Sequence, residues 1–158
     1  MSTYSINDIS HSVDRHKLYI LFCGPDELSK SISFIQNQNI SAINLGKELT
    51  SFIDGLEDYK YLNIDVCDFT KKLLDNNKAK IDGSGNDIVA IYNLGILFEL
   101  ALELNAKQLL KEFSKSAALI IIWENQTEQT DILNWPTQKN NYYLDFSDMQ
   151  LKKLHYAI

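Results

Sequence analysis

Eight consecutive residues, Gly24-Pro25-Asp26-Glu27-Leu28-Ser29-Lys30-Ser31, fit the pattern G-x-x-x-x-G-K-[ST] at every fixed position except the sixth, where Ser29 replaces glycine. The chemistry this pattern serves is the holding of a polyanion. Such a loop turns backbone N–H groups inward as an anion nest. The helix that follows adds the positive end of its dipole. In that arrangement Lys30 reaches the β- and γ-phosphates of a nucleotide, and the Ser31 hydroxyl ligates Mg²⁺. Gly24, Ser29, Lys30 and Ser31 are therefore the candidate nucleotide-binding residues, with Ser31 as the candidate metal ligand. Ser29 carries a Cβ into a place where backbone and phosphate crowd together. Asp26 and Glu27 set two negative charges beside a site meant for an anion. The plainer alternative is an ordinary strand-to-helix turn with Lys30 solvated.

A phosphate loop needs an acid at the end of a later core strand, to hold Mg²⁺ directly or through water. The second apolar strand ends Ile91-Tyr92-Asn93, with no acid there. Asp87 lies at that strand's other end, about 17 Å away at 3.3 Å per residue. Asn93, and Glu124 and Asn125 after the third apolar strand, are the polar candidates for a second part of the site. Asp65 and Asp68 are acids that could replace the missing one, against the default of solvated charges. Arg15 is the one arginine and precedes the first strand, away from an arginine-finger position. His11, His16 and His155 form no metal-ligand spacing with Cys23 or Cys67. Trp123, Trp135, Tyr142 and Tyr143 read as an aromatic core contact rather than a base-stacking platform.

The elements that must position these residues follow from hydrophobic periodicity. Residues 18–23, 88–92 and 119–123 are short, nearly continuous apolar runs, as expected of strands buried on both faces. The first ends at the turn signal Gly24-Pro25-Asp26 and is followed by helical spacing from Ser29. Residues 40–45 form a weaker strand, and residues 50–74 carry mostly helical spacing. Residues 76–86 read as a polar loop around Gly83-Ser84-Gly85. The apolar stripe over 94–116 changes register at Asn105, which predicts two helices, or one broken there, with Asn105 as an N-cap. Residues 127–141 read as a polar loop, and 142–146 as an outer strand. Ser147 with Gln150 predicts a capping box for a short terminal helix. Strands alternating with helices predict a three-layer α/β domain over residues 1–158, with a mostly parallel central sheet of about five strands. Residues 1–14 are a polar N-terminal segment.

The net charge of −6 argues against direct nucleic-acid binding by the chain alone, since phosphate contacts need a basic surface. Two cysteines exclude a disulfide scaffold and fit a reducing, cytoplasmic setting. Residues 1–17 lack the apolar core of a signal peptide. The longest apolar run, residues 117–123, is too short to cross a membrane.

The chain resembles the BrxF family of small P-loop proteins from type 3 BREX phage-defence systems. The resemblance covers roughly residues 15–150. It rests on GPDELSKS followed by the strand Ile43-Asn44-Leu45, on the stretch from Gly95 through Leu110, and on the segment from Phe113 to Trp123. It rests also on the Pro-containing loop and aromatic strand over 135–143. The resemblance implies a minimal P-loop NTPase-like fold, ATP with Mg²⁺ as cofactor, and a place among the proteins of a defence complex, with a homo-oligomer as a further option. Gly24, Lys30 and Ser31 carry over as nucleotide-binding positions. The family's acidic pair at the end of the second core strand does not, because Tyr92-Asn93 stands there. Two other readings compete. One is a P-loop-fold interaction subunit that no longer binds nucleotide. The other is a flavodoxin-like or receiver-like domain with an incidental octet, which would show a sequential strand order with no later strand inserted beside the first.

Overall fold

The computed structural model describes residues 2–124, 126 and 130–155. In chain order its strands are β1 (Thr3–Tyr4), β2 (Leu18–Cys23), β3 (Ala42–Asn44), β4 (Ile88–Tyr92), β5 (Ala118–Glu124), β6 (Ile132–Pro136), β7 (Asn141–Asp145) and β8 (Lys152–Leu154). Six of them form one sheet in the order β1-β8-β2-β5-β4-β3, and every neighbouring pair is parallel. β6 and β7 form a separate antiparallel ribbon. The helices are α1 (Ile6–His11), α2 (Leu28–Gln36), α3 (Leu45–Asp54), α4 (Leu62–Asn77) and α5 (Ala106–Ser116).

The three apolar runs, β2, β4 and β5, are interior strands of the sheet, because only covered strands can be apolar on both sides. Alternate residues feed two cores. Leu18, Ile20, Val89, Ile91, Leu119, Ile121 and Trp123 pack with α3, α4, α5 and the ribbon. Tyr19, Leu21, Cys23, Ile88, Ala90, Ile120 and Ile122 pack with α1 and α2. This is a three-layer α/β architecture. Ile20 and Ile121, side by side in register and fully buried, mark the middle of the first core. Truncating either to alanine is expected to cost about 2–5 kcal/mol.

The insertion of β5 between β2 and β4 is not the sequential order of a flavodoxin-like sheet. The polar N-terminal segment supplies an element on each side of a capping box. Ser5 Oγ accepts from the Asp8 N–H and the Asp8 carboxylate accepts from the Ser5 N–H, starting α1 after β1. β1 is what raises the sheet from five strands to six.

Four expectations along the chain need correction. Residues 95–102 form two 3-10 turns, Gly95–Phe98 and Leu100–Leu102, rather than an α-helix. Trp135 closes over this stretch, and a Cβ on Gly95 would come within 2.7 Å of the indole. The break at Asn105 holds, since its side chain accepts from the Gln108 N–H at 3.1 Å and starts α5. The polar loop over 127–141 contains a strand, β6, whose Leu133 is fully buried while Ile132 and Asn134 face out. Pro136 is tolerated because it ends a ribbon strand. Residues 142–146 are extended but pair with β6 outside the main sheet. The capping box at Ser147 forms no helix. Instead the chain makes a single turn, with the Met149 N–H donating to the Phe146 carbonyl at 3.0 Å, and then runs into β8 beside β2 with Met149 and Leu151 both buried.

Candidate functional site

After β2 the chain leaves toward β3. After β5 it leaves in the opposite direction, toward β8. The crevice outside the carboxyl ends of β2 and β5 is thus a topological switch point, the place where open α/β sheets bind ligands. Cys23 and Glu124 are paired in register at its base. The octet begins immediately after Cys23.

Its first four residues close a β-turn. The Glu27 N–H donates to the Gly24 carbonyl at 3.2 Å, Pro25 sits at the second position, and Asp26 takes the third with φ 65°. These are the features of a type II turn, whose third position demands positive φ. Asp adopts that region at lower cost than most side chains. The turn lets α2 begin at Leu28, the fifth residue of the octet. Ser29 is then helical and exposed, so the glycine that the pattern requires has no crowded loop position to fill.

Glu27 stands at the N-cap of α2 but does not cap it. Its carboxylate turns back instead, and Oε2 accepts from the Gly24 N–H at 3.2 Å. The loop's own anion occupies the amide at its first residue. The first turn of α2 contains no acid and receives no side-chain cap, so its leading N–H groups point into the crevice without a side-chain acceptor. Lys30 in that turn is exposed and makes no ion pair among the described residues. A cation there works against the helix dipole unless an anion joins it.

Ser31 is fully buried and its Oγ makes no hydrogen bond of ordinary geometry. It faces Cys23. Burial pushes the Cys23 thiol above its usual range, the Ser31 hydroxyl opposes that shift, and the carboxylates of Glu124 and Glu27 add to it. Cys23 and Glu124 end paired strands here, and the octet starts from them. Asn125 lies outside the described residues.

The end of β4 is built differently. Asn93, at φ 59°, donates from Nδ2 to Asn44 Oδ1 at 2.9 Å. That same oxygen accepts from the Lys47 N–H at 3.1 Å and caps α3. Gly46 leaves just enough room, since a Cβ there would lie 2.5 Å from Asn93 Nδ2. Asn93 is thus committed to the start of α3, and β5 separates its strand from β2 by two steps, about 9–10 Å. Asp65 and Asp68 lie on α4, across the sheet from α2. Arg15 precedes the amino end of β2, about 20 Å of strand away from the octet. Asp87 pairs with Lys80 at 3.1 Å. Trp123, Trp135 and Tyr142 do cluster, through Phe98, which stacks on Tyr142 at 5.4 Å. Tyr143 stays outside, 58% exposed.

What the described residues offer an anion is therefore a helix start without a side-chain cap and an exposed lysine without an ion pair. They offer no metal half. Ser31 Oγ points into protein, Asn93 is tied elsewhere, and no group of three His, Cys, Asp or Glu side chains among the described residues is arranged to hold a metal ion. No helix among the described residues is long and apolar enough to cross a membrane. Comparison with protein-family models, with curated proteins and with solved structures gives no significant match. The carboxylate of Glu27 is the feature that sequence reasoning left unplaced. Its signal was an acid three residues after the glycine that ends the strand.

Proposed function

We propose that this is a P-loop-like protein that binds the phosphates of a nucleotide, ATP, at the head of α2 and holds them without turnover of its own. The observation that carries the reading is the insertion of β5 between β2 and β4. It makes the end of β2 a switch point and sets an uncapped helix and the exposed Lys30 beside it. Turnover needs a metal-holding acid and charge stabilisation of the transferred group. The chain offers Asn93 in the acid's position and Arg15 at the wrong end of the sheet, so any hydrolysis belongs to a site completed by another protein. Any Mg²⁺ is held by the nucleotide and water. Membership of a multi-protein phage-defence assembly rests on the resemblance to the BrxF family, and partner capture from the native host tests it.

The test of binding is titration with a fluorescent ATP analogue, with and without Mg²⁺. Saturable binding, lost in Lys30→Ala and changed less than about threefold by chelating the metal, supports the reading. No binding at millimolar nucleotide contradicts it. One observation favours a second reading, an interaction subunit that has lost nucleotide: the Glu27 carboxylate already sits on the Gly24 N–H. That reading expects Glu27→Gln to bind no better than the parent.

A further inference from the structure

The β6–β7 ribbon has two edges, and they are not alike. The Thr137 N–H donates to the Asn140 carbonyl at one end, and the Phe146 N–H donates to the Asp131 carbonyl at the other. In an antiparallel ladder bonded and non-bonded pairs alternate. The bonded pairs are therefore 133 with 144 and 135 with 142. The N–H and C=O groups of Ile132 and Asn134, and of Asn141, Tyr143 and Asp145, point outward from the ribbon.

On the β6 side those groups are covered. The Gln126 side chain donates to the Ile132 carbonyl at 3.2 Å and accepts from the Asn134 N–H at 2.9 Å, in the manner of a neighbouring strand. On the β7 side no hydrogen bond reaches the outward groups of Asn141, Tyr143 or Asp145 among the described residues. A cleft of about 480 Å³ runs beside Tyr142, Tyr143 and Leu144, and its far wall is the 3-10 stretch and the start of α5. Leu97 and Leu104 line it, and Leu100 stands at its lip, 79% exposed. An unprotected strand edge is a template for another strand.

The charges in the cleft say what kind of strand. Glu99 and Glu103 line it and make no ion pair among the described residues, whereas its lysine, Lys107, is held by Asp148 at 2.9 Å. The field left over is negative. A second copy of this chain offering its own β7 would bring Asp145 and no basic residue, which adds acid to acid.

We propose that the free edge of β7 is a docking strand. It takes an extended segment of a partner protein as a third strand of the ribbon, with alternate apolar side chains in the cleft and a Lys or Arg against Glu99 and Glu103. Backbone bonds supply the register and the cleft supplies selectivity, as in strand addition generally.

The test uses the full chain and a capped seven-residue probe, Thr-Val-Thr-Lys-Thr-Val-Thr, whose even positions share the cleft face, with the same peptide N-methylated on its bonding edge as control. Amide hydrogen exchange is read residue by residue. The expected result is slowing of the Asn141, Tyr143 and Asp145 amides by roughly tenfold or more at saturating probe, and none with the methylated peptide. Glu99→Lys combined with Glu103→Lys, both remote from the ladder, weakens the probe about tenfold. Tyr143→Pro removes an outward N–H without touching a bond to β6, and abolishes the effect. No slowing at millimolar probe, or equal slowing by the methylated peptide, overturns the proposal. So does slowing of the same amides with rising protein concentration alone, which gives the edge to a second copy. Should the proline variant fail to fold, the glutamate pair decides.

Discussion

The carboxyl ends of β2 and β4 lie two strands apart on the same edge of one sheet, yet their polar groups are used in opposite ways. At β4 nearly everything is spent on structure. Asn93 bonds Asn44, Asn44 caps α3, and Gly46 is small because Asn93 needs the space. At β2 the groups are left over. Among the described residues Lys30 has no counter-ion and α2 has no side-chain cap. The side-chain bond that is made there, from the Gly24 N–H to Glu27, joins an exposed side chain to a backbone donor. Helix starts are commonly capped by a side chain, at a gain of about 1 kcal/mol. An uncapped start at a switch point is where a ligand can supply what the protein withholds. The end that looks degenerate by motif is thus the end with free chemistry, and the end that lacks its acid has been turned into a joint.

The largest effect expected from this contrast is at Gly46. Alanine would gain about 1 kcal/mol of helix propensity in α3. Its Cβ, however, would stand 2.5 Å from Asn93 Nδ2, 2.9 Å from its Cγ and 3.0 Å from its carbonyl oxygen. Overpacking of this kind outweighs propensity, and a net loss of about 2 kcal/mol is expected in urea denaturation. Gly24→Ala, whose Cβ meets only the movable Glu27 carboxylate at 3.4 Å, should cost under about 1 kcal/mol. Equal losses at the two glycines would erase the contrast.

Next in size is Glu27→Gln. Removing a negative charge from the edge of an anion site should tighten ATP about tenfold, as a nearby unit charge partly screened by water would. Stability should move by less than about 0.5 kcal/mol, since the residue is exposed. Asn93→Asp should act in the other compartment. It replaces the donor facing Asn44 Oδ1 by an acceptor, at a cost of about 1 kcal/mol, and leaves ATP affinity and its Mg²⁺ dependence unchanged. A gain in Mg²⁺ dependence would show that Asn93 faces the ligand after all.

The smallest effect concerns the Cys23 thiol. Burial holds it above the ordinary range, with Glu124 and Glu27 adding to the shift against the Ser31 hydroxyl. The raised value means less thiolate at pH 8, so alkylation of Cys23 should lag that of half-buried Cys67. The sign for stability follows: this contribution is present below the ordinary thiol range and is lost as pH rises through the folded value. Glu27→Gln should speed Cys23 labelling by no more than about twofold. No change at all would place the carboxylate farther from the thiol than the fold has it.

How much of this could be read from residues alone depends on what fixes each feature. β2, β4 and β5 were legible because strands covered on both faces must be apolar throughout. Asn105 was legible because a change of helical register needs a new start. β6 was hidden by having only Leu133 and Trp135 facing in, among polar residues and a proline. β8 was hidden by its lysines. Lys152 is buried only because Asp14 pairs with it and the rings of Tyr4 and Tyr19 flank its ammonium group at 5.8 and 5.4 Å. Those partners come from the far end of the chain. At the site the octet was visible, but its behaviour was not. Pro25 and the left-handed Asp26 close a tight turn, α2 starts early, and Ser31 rotates into the core. These outcomes depend on three-dimensional closure of the turn rather than on spacing. The register of the ribbon, and with it the open edge of β7, was equally out of reach.

The most direct measurement is the amide spectrum of ¹⁵N-labelled protein during an ATP titration, in the parent, in Glu27→Gln and in Lys30→Ala. If the head of α2 is a phosphate site guarded by its own carboxylate, the Gly24 amide and those of Leu28, Ser29 and Lys30 shift saturably in the parent. They should do so at lower ATP in Glu27→Gln and not at all in Lys30→Ala, while the Asn93 side-chain amide stays where it was. Silence of those four amides at millimolar ATP in both the parent and Glu27→Gln would contradict the reading and leave the end of β2 as a fold feature without a ligand.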